Sequence, residues 1–170
     1  MSLALDDDHI MLLRANNING NHIVLDDVQY VSRTKVSEVQ AIKPKDILMC
    51  ASSGSLEHVG KTAICTIPGE YTFGAFCKLI RVNGSLQAEY IAAYMNSDEY
   101  RRKIMELAQG TNINNLRNEH IDELQLPIPT LEKQTAFLKL LQQSDKSKLF
   151  GVKHRIENFT GGYLCLMKQN

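Results

Sequence analysis

The chain has 170 residues, 44% of them hydrophobic, no Trp, and 19 Lys and Arg balanced by 19 Asp and Glu. That length supports one core without disulfide or metal staples, and the composition excludes disordered, collagen-like and purely coiled-coil chains. Neutrality excludes a protein coated in positive charge but leaves one basic face open, because electrostatic footprints depend on distribution.

The amino end carries Asp6, Asp7 and Asp8 and lacks the basic start and apolar run of a secretory signal. No stretch approaches the roughly 18 apolar residues of a membrane span, so a soluble, cytoplasmic protein is expected. Residues 22–25, 46–51, 62–67 and 75–82 alternate or form β-branched runs between Gly, Asn and Pro signals, which predicts strands. Ser85 can cap a helix running to about Met95. Ser97 can cap the next, with Asp98 and Glu99 at its positive end and Gly110 closing it. Within that second helix Tyr100, Ile104, Leu107 and Ala108 share one face, a core stripe. Arg101, Arg102 and Lys103 beside it look like a DNA-binding patch, yet Asp98 precedes Arg102, and Glu99 precedes Lys103, by one helical turn. A solvated, self-compensated helix surface is predicted instead.

Residues 124–129 read as a short strand. From there Leu131, Leu138, Leu141, Leu149, Val152, Ile156 and Phe159 recur at helical spacing and predict one amphipathic helix over residues 130–160, ending at Gly161 and Gly162. About 29 residues at 1.5 Å each give roughly 43 Å, more than a domain of this size covers comfortably. Part of the stripe is therefore expected to pack on a partner helix, with folding back onto the chain's own core as the alternative. Residues 131–170 hold 7 basic and 3 acidic side chains, so the carboxyl-terminal quarter is basic and the remainder acidic.

Chemical motifs are sparse. Cys50, Cys65, Cys77 and Cys165 match no zinc-binding spacing and read as buried free thiols. Gly54 to Gly60-Lys61-Thr62 follows a strand as a phosphate-binding loop would. However, five residues rather than four separate the glycines, and a β-branched segment follows where a helix would have to open. The five His residues are scattered, and no nucleophile elbow or carboxylate pair is evident. Neither a metal site, a cofactor site nor a catalytic centre is expected.

Three polar segments suit nucleic acid. Ser53, Ser55, His58 and Lys61 offer hydroxyls and cations around flexible glycines. Thr111, Asn112, Asn114, Asn115 and Arg117 offer groups that pair with adenine and guanine edges, and Arg14, Asn16 and Asn17 repeat that chemistry. On composition alone such loops are more often turns and caps than nucleic-acid contacts.

In order along the chain, these segments resemble one family. Residues 13–18, Leu-Arg-Ala-Asn-Asn-Ile, are similar to an early "RxxDI" strand, and residues 26–31 to the element after it. Lys43-Pro-Lys-Asp46-Ile-Leu resembles "KxGDIL", with Ser53-Gly54-Ser55 and Val59-Gly60-Lys61 in the following loop. Residues 110–126 lead into Leu126-Pro-Ile-Pro-Thr130-Leu-Glu-Lys-Gln134, close to "IPLPPLxEQ". The family is the DNA-specificity subunit of type I restriction-modification systems. The resemblance covers about residues 12–150. Lys45 stands where the family has Gly, Thr130 where it has a second Pro, and Lys133 where it has Glu.

The resemblance implies an α+β fold. Residues 1–129 would form a target-recognition domain with a mixed, strongly twisted sheet and short helices, residues 130–160 a long coiled-coil-type spacer helix, and residues 161–170 a tail. It implies a non-catalytic subunit that reads one half of a bipartite duplex site. Methyltransferase and translocase-nuclease partners would supply all S-adenosylmethionine-, ATP- and Mg²⁺-dependent chemistry. Two copies pairing through the helix would place their recognition domains about 12–13 base-pair steps apart. The alternative is a protein-interaction module, a shortened recognition fold that no longer binds DNA.

Overall fold

The computed structural model describes residues 8–84, 86–108 and 115–147, and the backbone of residues 163–165. Two three-stranded sheets carry the fold. In the first, β1 (His9–Leu13) lies between β4 (Gln29–Ser32) and β7 (Tyr71–Phe73). It pairs antiparallel with β4, Met11 opposite Tyr30, and parallel with β7, Met11 opposite Tyr71. In the second, β5 (Ile47–Cys50) lies between β6 (Thr62–Ile64) and β8 (Cys77–Ile80), both antiparallel to it. A hairpin of β2 (Ile18–Asn19) and β3 (His22–Ile23) turns at Gly20, whose φ of 59° suits glycine. The α+β class holds, and a mixed sheet is present. Among the described residues the strands form two three-stranded sheets and two two-stranded pairs.

The all-apolar sequence of β5 has a structural reason: core lies on both of its faces. Ile47 and Met49 join one cluster with Tyr90, Ile91, Tyr94, Tyr100, Ile104, Leu116, Leu126 and Phe137. Leu48 and Cys50, pointing the other way, join a second with Leu13, Ile18, Ile23, Tyr71 and Cys77. Period-two alternation thus makes one strand the wall between two cores, and each large side chain fully buried there contributes about 1.5–3 kcal/mol. Cys50, Cys65 and Cys77 are buried free thiols. Burial pushes Cys77 up to about 12, so it stays protonated and inert.

The expected turn before β5 survives its Lys-for-Gly exchange. Lys45 takes φ 71°, Asp46 N–H donates to Lys43 O at 3.1 Å, and Lys45 Nζ pairs with Glu89 at 2.8 Å. Asp46 itself is 2% exposed. Its carboxylate accepts from Lys43 N–H (2.7 Å) and from Arg81 Nε (2.8 Å) and Nη2 (2.6 Å), tying the turn to the strand beyond.

Helices cover the second sheet: α1 (Ala88–Tyr94), α2 (Asp98–Ala108), the short α3 (Asn118–Asp122), and α4 (Leu131–Ser147). Ser97 Oγ accepts from Tyr100 N–H at 3.2 Å as expected, and Tyr100, Ile104 and Ala108 are buried with Leu107 partly so. Glu99 and Lys103 pair at 2.8 Å, and Lys103 also donates to Tyr94 Oη. Burial raises the Tyr94 phenol to about 12, so it remains neutral beside them. Arg101 departs from the expected solvated surface. Its guanidinium donates to the carbonyls of Val59 and Leu56, clamping the loop between β5 and β6. Ser85 and Gly110, the expected helix cap and stop, lie outside the described residues, and Gln87 occupies the N-cap of α1.

That N-cap is satisfied from a distance. Gln134, 1% exposed in the first turns of α4, accepts from Gln87 N–H at 2.9 Å and donates from Nε2 to Pro129 O at 2.9 Å. It therefore seats α4 on α1 and fixes the turn between β9 (Gln125–Pro127) and the helix. Gln134→Leu is expected to destabilise the fold by about 2 kcal/mol despite adding apolar surface, because it strands a buried donor and a buried acceptor. Urea unfolding measures the loss, and faster hydrogen exchange at the Gln87 amide locates it.

The leucine stripe requires a correction. Leu138 and Leu141, expected to face a partner helix, pack with Phe137 against the chain's own core, while Leu131 is 51% exposed. Leu149, Val152, Ile156 and Phe159 lie outside the described residues. Beyond them β10 (Tyr163–Cys165) returns to pair antiparallel with β9, Leu164 opposite Leu126.

Candidate nucleic-acid interface

The loop between β5 and β6 is a backbone-closed excursion. Gly60 N–H donates to Cys50 O (2.7 Å) and Cys50 N–H to Lys61 O (2.9 Å), so both ends meet at the sheet edge. Inside it, turns from Ser55 O to His58 N–H and from His58 O to Lys61 N–H stack the chain compactly. Ser53 Oγ accepts from Ser55 N–H at 3.3 Å and His58 lies 3.2 Å from Glu57, while His58 and Lys61 are exposed. Thr62 opens β6 rather than a helix, so no phosphate-binding helix terminus follows the glycines.

Two of the expected polar segments meet. Ser52 and Asn115 form an antiparallel bridge, and Leu116 N–H donates to Ala51 O at 2.8 Å. This brings exposed Arg117, the N-cap of α3, to the loop that bears Ser53, Ser55 and Lys61. Lys78 on β8 donates to Asn118 Oδ1 and draws a second cation, missed in the sequence, into the group. Its signal lay in long-range pairing, which a local reading does not reach. Thr111, Asn112 and Asn114 lie outside the described residues.

The third segment approaches through the turn at 74–77. Gly74 N–H donates to Leu13 O (2.9 Å), and a Cβ on Gly74 would meet Arg14 Cγ at 3.6 Å. On the other side Phe76 O accepts from Ala51 N–H (2.8 Å) and Ser52 N–H (3.1 Å). Within this segment one expected contact is lost. Asn17 is 1% exposed: its Oδ1 accepts from Arg14 N–H, and its Nδ2 donates to Val24 O at 2.9 Å and Asp27 O at 3.3 Å. That amide holds its own backbone and presents nothing to a ligand. Arg14 (2.8 Å) and Asn16 (2.9 Å) both donate to Asp27 Oδ2, an exposed carboxylate that orients them.

Among the described residues no three His, Cys, Asp or Glu side chains gather to hold a metal, and no helix is long and apolar enough to cross a membrane. A separate cleft of about 730 Å³ lies between the 43–46 turn and α4, lined by Lys43, Lys45, Arg81, Glu89 and Lys139 among others.

The described residues thus form a small α+β module that gathers hydroxyls, amides and cations on hydrogen-bonded loops, with α4 seated on α1. Comparison places it: residues 10–158 match the type I restriction modification DNA specificity domain, and the chain belongs to that family. It is 39% identical over 148 residues to the specificity subunits of the type I restriction enzymes StySPI of Salmonella potsdam and EcoKI of Escherichia coli K12. Each match covers 85% of this chain and 32% of the relative. The chain thus spans about a third of the length of those proteins. A solved chain described under complex assembly and conformational transition of the type I R-M system shares the fold. Its TM-score is 0.60 at 15% identity, over 82% of this chain and 37% of that one.

Proposed function

We propose that this chain is a non-catalytic DNA-recognition unit of a type I restriction-modification complex, reading one half of a bipartite duplex site through the edge around the 74–77 turn. The observation that carries the reading is the Ser52–Asn115 bridge, which joins two segments chosen for their base- and phosphate-binding chemistry. In this reading Lys61 and Lys78 meet phosphates, while Ser53, Ser55, Asn115, Arg117 and the oriented pair Arg14 and Asn16 face base edges. Methyltransferase and restriction subunits supply the chemistry and any cofactor, and dock on the α4 side. A second copy pairs through the helix beyond the face that Leu138 and Leu141 use internally.

Fluorescence anisotropy with duplex DNA at low salt tests this. Neutral overall charge predicts weak binding by the isolated chain and tighter binding with a methyltransferase subunit. Absence of binding in both settings overturns the reading. Lys61→Ala is expected to weaken all sequences alike and reduce the salt slope by about 1. Arg117→Ala is expected to relax preference at one position, at a cost of about 1–3 kcal/mol.

A further inference from the structure

We infer that Phe76 is a base-contacting residue of this interface, its ring packing against bases of the bound duplex; the inference rests on the DNA-recognition reading above. Phe76 is 68% exposed. A single exposed apolar side chain is ordinary, and Val39 is more exposed still. Position sets Phe76 apart. It sits in the turn that touches two of the polar segments, next to Leu13 and Arg14 through Gly74 and next to Ala51 and Ser52 through its own carbonyl, and the third segment reaches that same Ser52 through the Asn115 bridge.

The turn is also rigid where it matters. Cys77 N–H donates to Gly74 O at 2.9 Å, Cys77 is 5% exposed and paired in register with Cys50, and the Phe76 carbonyl holds two N–H groups. The ring is thus presented from a backbone fixed on both sides, so little ordering entropy remains to be lost on contact. The surrounding side chains match the polar parts of DNA: cations for phosphates, amides and hydroxyls for base edges. None of them suits the apolar parts, which are the thymine methyl and the face of an unstacked base. A phenyl ring suits both.

The test uses the full chain and a target selected from random duplexes. Phe76→Ala, an exposed change whose folding is checked by thermal melting, is expected to weaken the selected target about 5- to 50-fold and leave unselected duplex unchanged. Phe76→Leu is expected to fall between. Two arms separate the apolar partners. Thymine-to-uracil replacement weakens wild type but not Phe76→Ala if the methyl is touched, and 2-aminopurine brightens with wild type alone if a base step is unstacked. Equal affinity and equal sequence preference for wild type and Phe76→Ala overturns the inference while the recognition reading stands. Failure of wild type to select any duplex, both alone and with a methyltransferase subunit, overturns the recognition reading itself.

Discussion

Gly60→Ala is expected to lower the unfolding free energy by about 2–4 kcal/mol, a large share of the roughly 5–15 kcal/mol that holds a domain together. Two costs combine. Gly60 has φ 78°, a left-handed conformation in which a Cβ costs about 1 kcal/mol or more. A Cβ built there would also clash with Ile104 Cγ2, and Ile104 is 1% exposed in the helical core, so it has no room to retreat. Overpacking of that kind costs about 1–3 kcal/mol. Tyr100 Oη donates to Gly60 O at 2.9 Å and keeps the residue against α2. Denaturant unfolding of the single variants and of Gly60→Ala/Ile104→Ala separates the two costs. The double variant should recover the steric part and keep the backbone part. A loss below about 0.5 kcal/mol for Gly60→Ala would show that the loop is not pinned to the helix as described.

The second large effect belongs to Asp46. Asp46→Ala is expected to cost about 3 kcal/mol, because a buried carboxylate that accepts three hydrogen bonds disappears and both Arg81 and the Lys43 amide lose their partner. Arg81 is 36% exposed along its side chain and recovers some hydration, which keeps the cost below that of a fully enclosed pair. Asp46→Asn, which keeps one acceptor oxygen but no charge, should cost about half as much. Equal unfolding midpoints for wild type and Asp46→Ala would contradict the role assigned to this pair.

How far these features are legible in the sequence depends on the range of the interaction. The strand at Ile47–Cys50 and the stripe of α2 are written locally, in an unbroken apolar run and a one-turn spacing. Membership of the specificity family was legible from ordered short motifs. Strand β7 was not, because Tyr71, Thr72 and Phe73 form too short a run between Gly69 and Gly74, and their partner is β1, some sixty residues earlier. Arg101 was misassigned because helix-surface pairing considers neighbours one turn away, whereas its acceptors are carbonyls of another loop. Asn17 shows the limit for the site: an amide that serves its own backbone and one that reads a base are the same letter. Gln134 is the converse case, a polar residue skipped by every apolar count and yet buried at the joint between two helices.

The pairing of β10 with β9 has a topological consequence. Leu126 and Leu164 are paired in register, so the chain that departs into α4 is brought back to where it left, and everything between is an excursion closed by a two-strand clasp. Closure entropy grows only slowly with length: doubling a flexible excursion costs about 0.6 kcal/mol. The excursion can therefore differ in length while the two-strand clasp stays as it is.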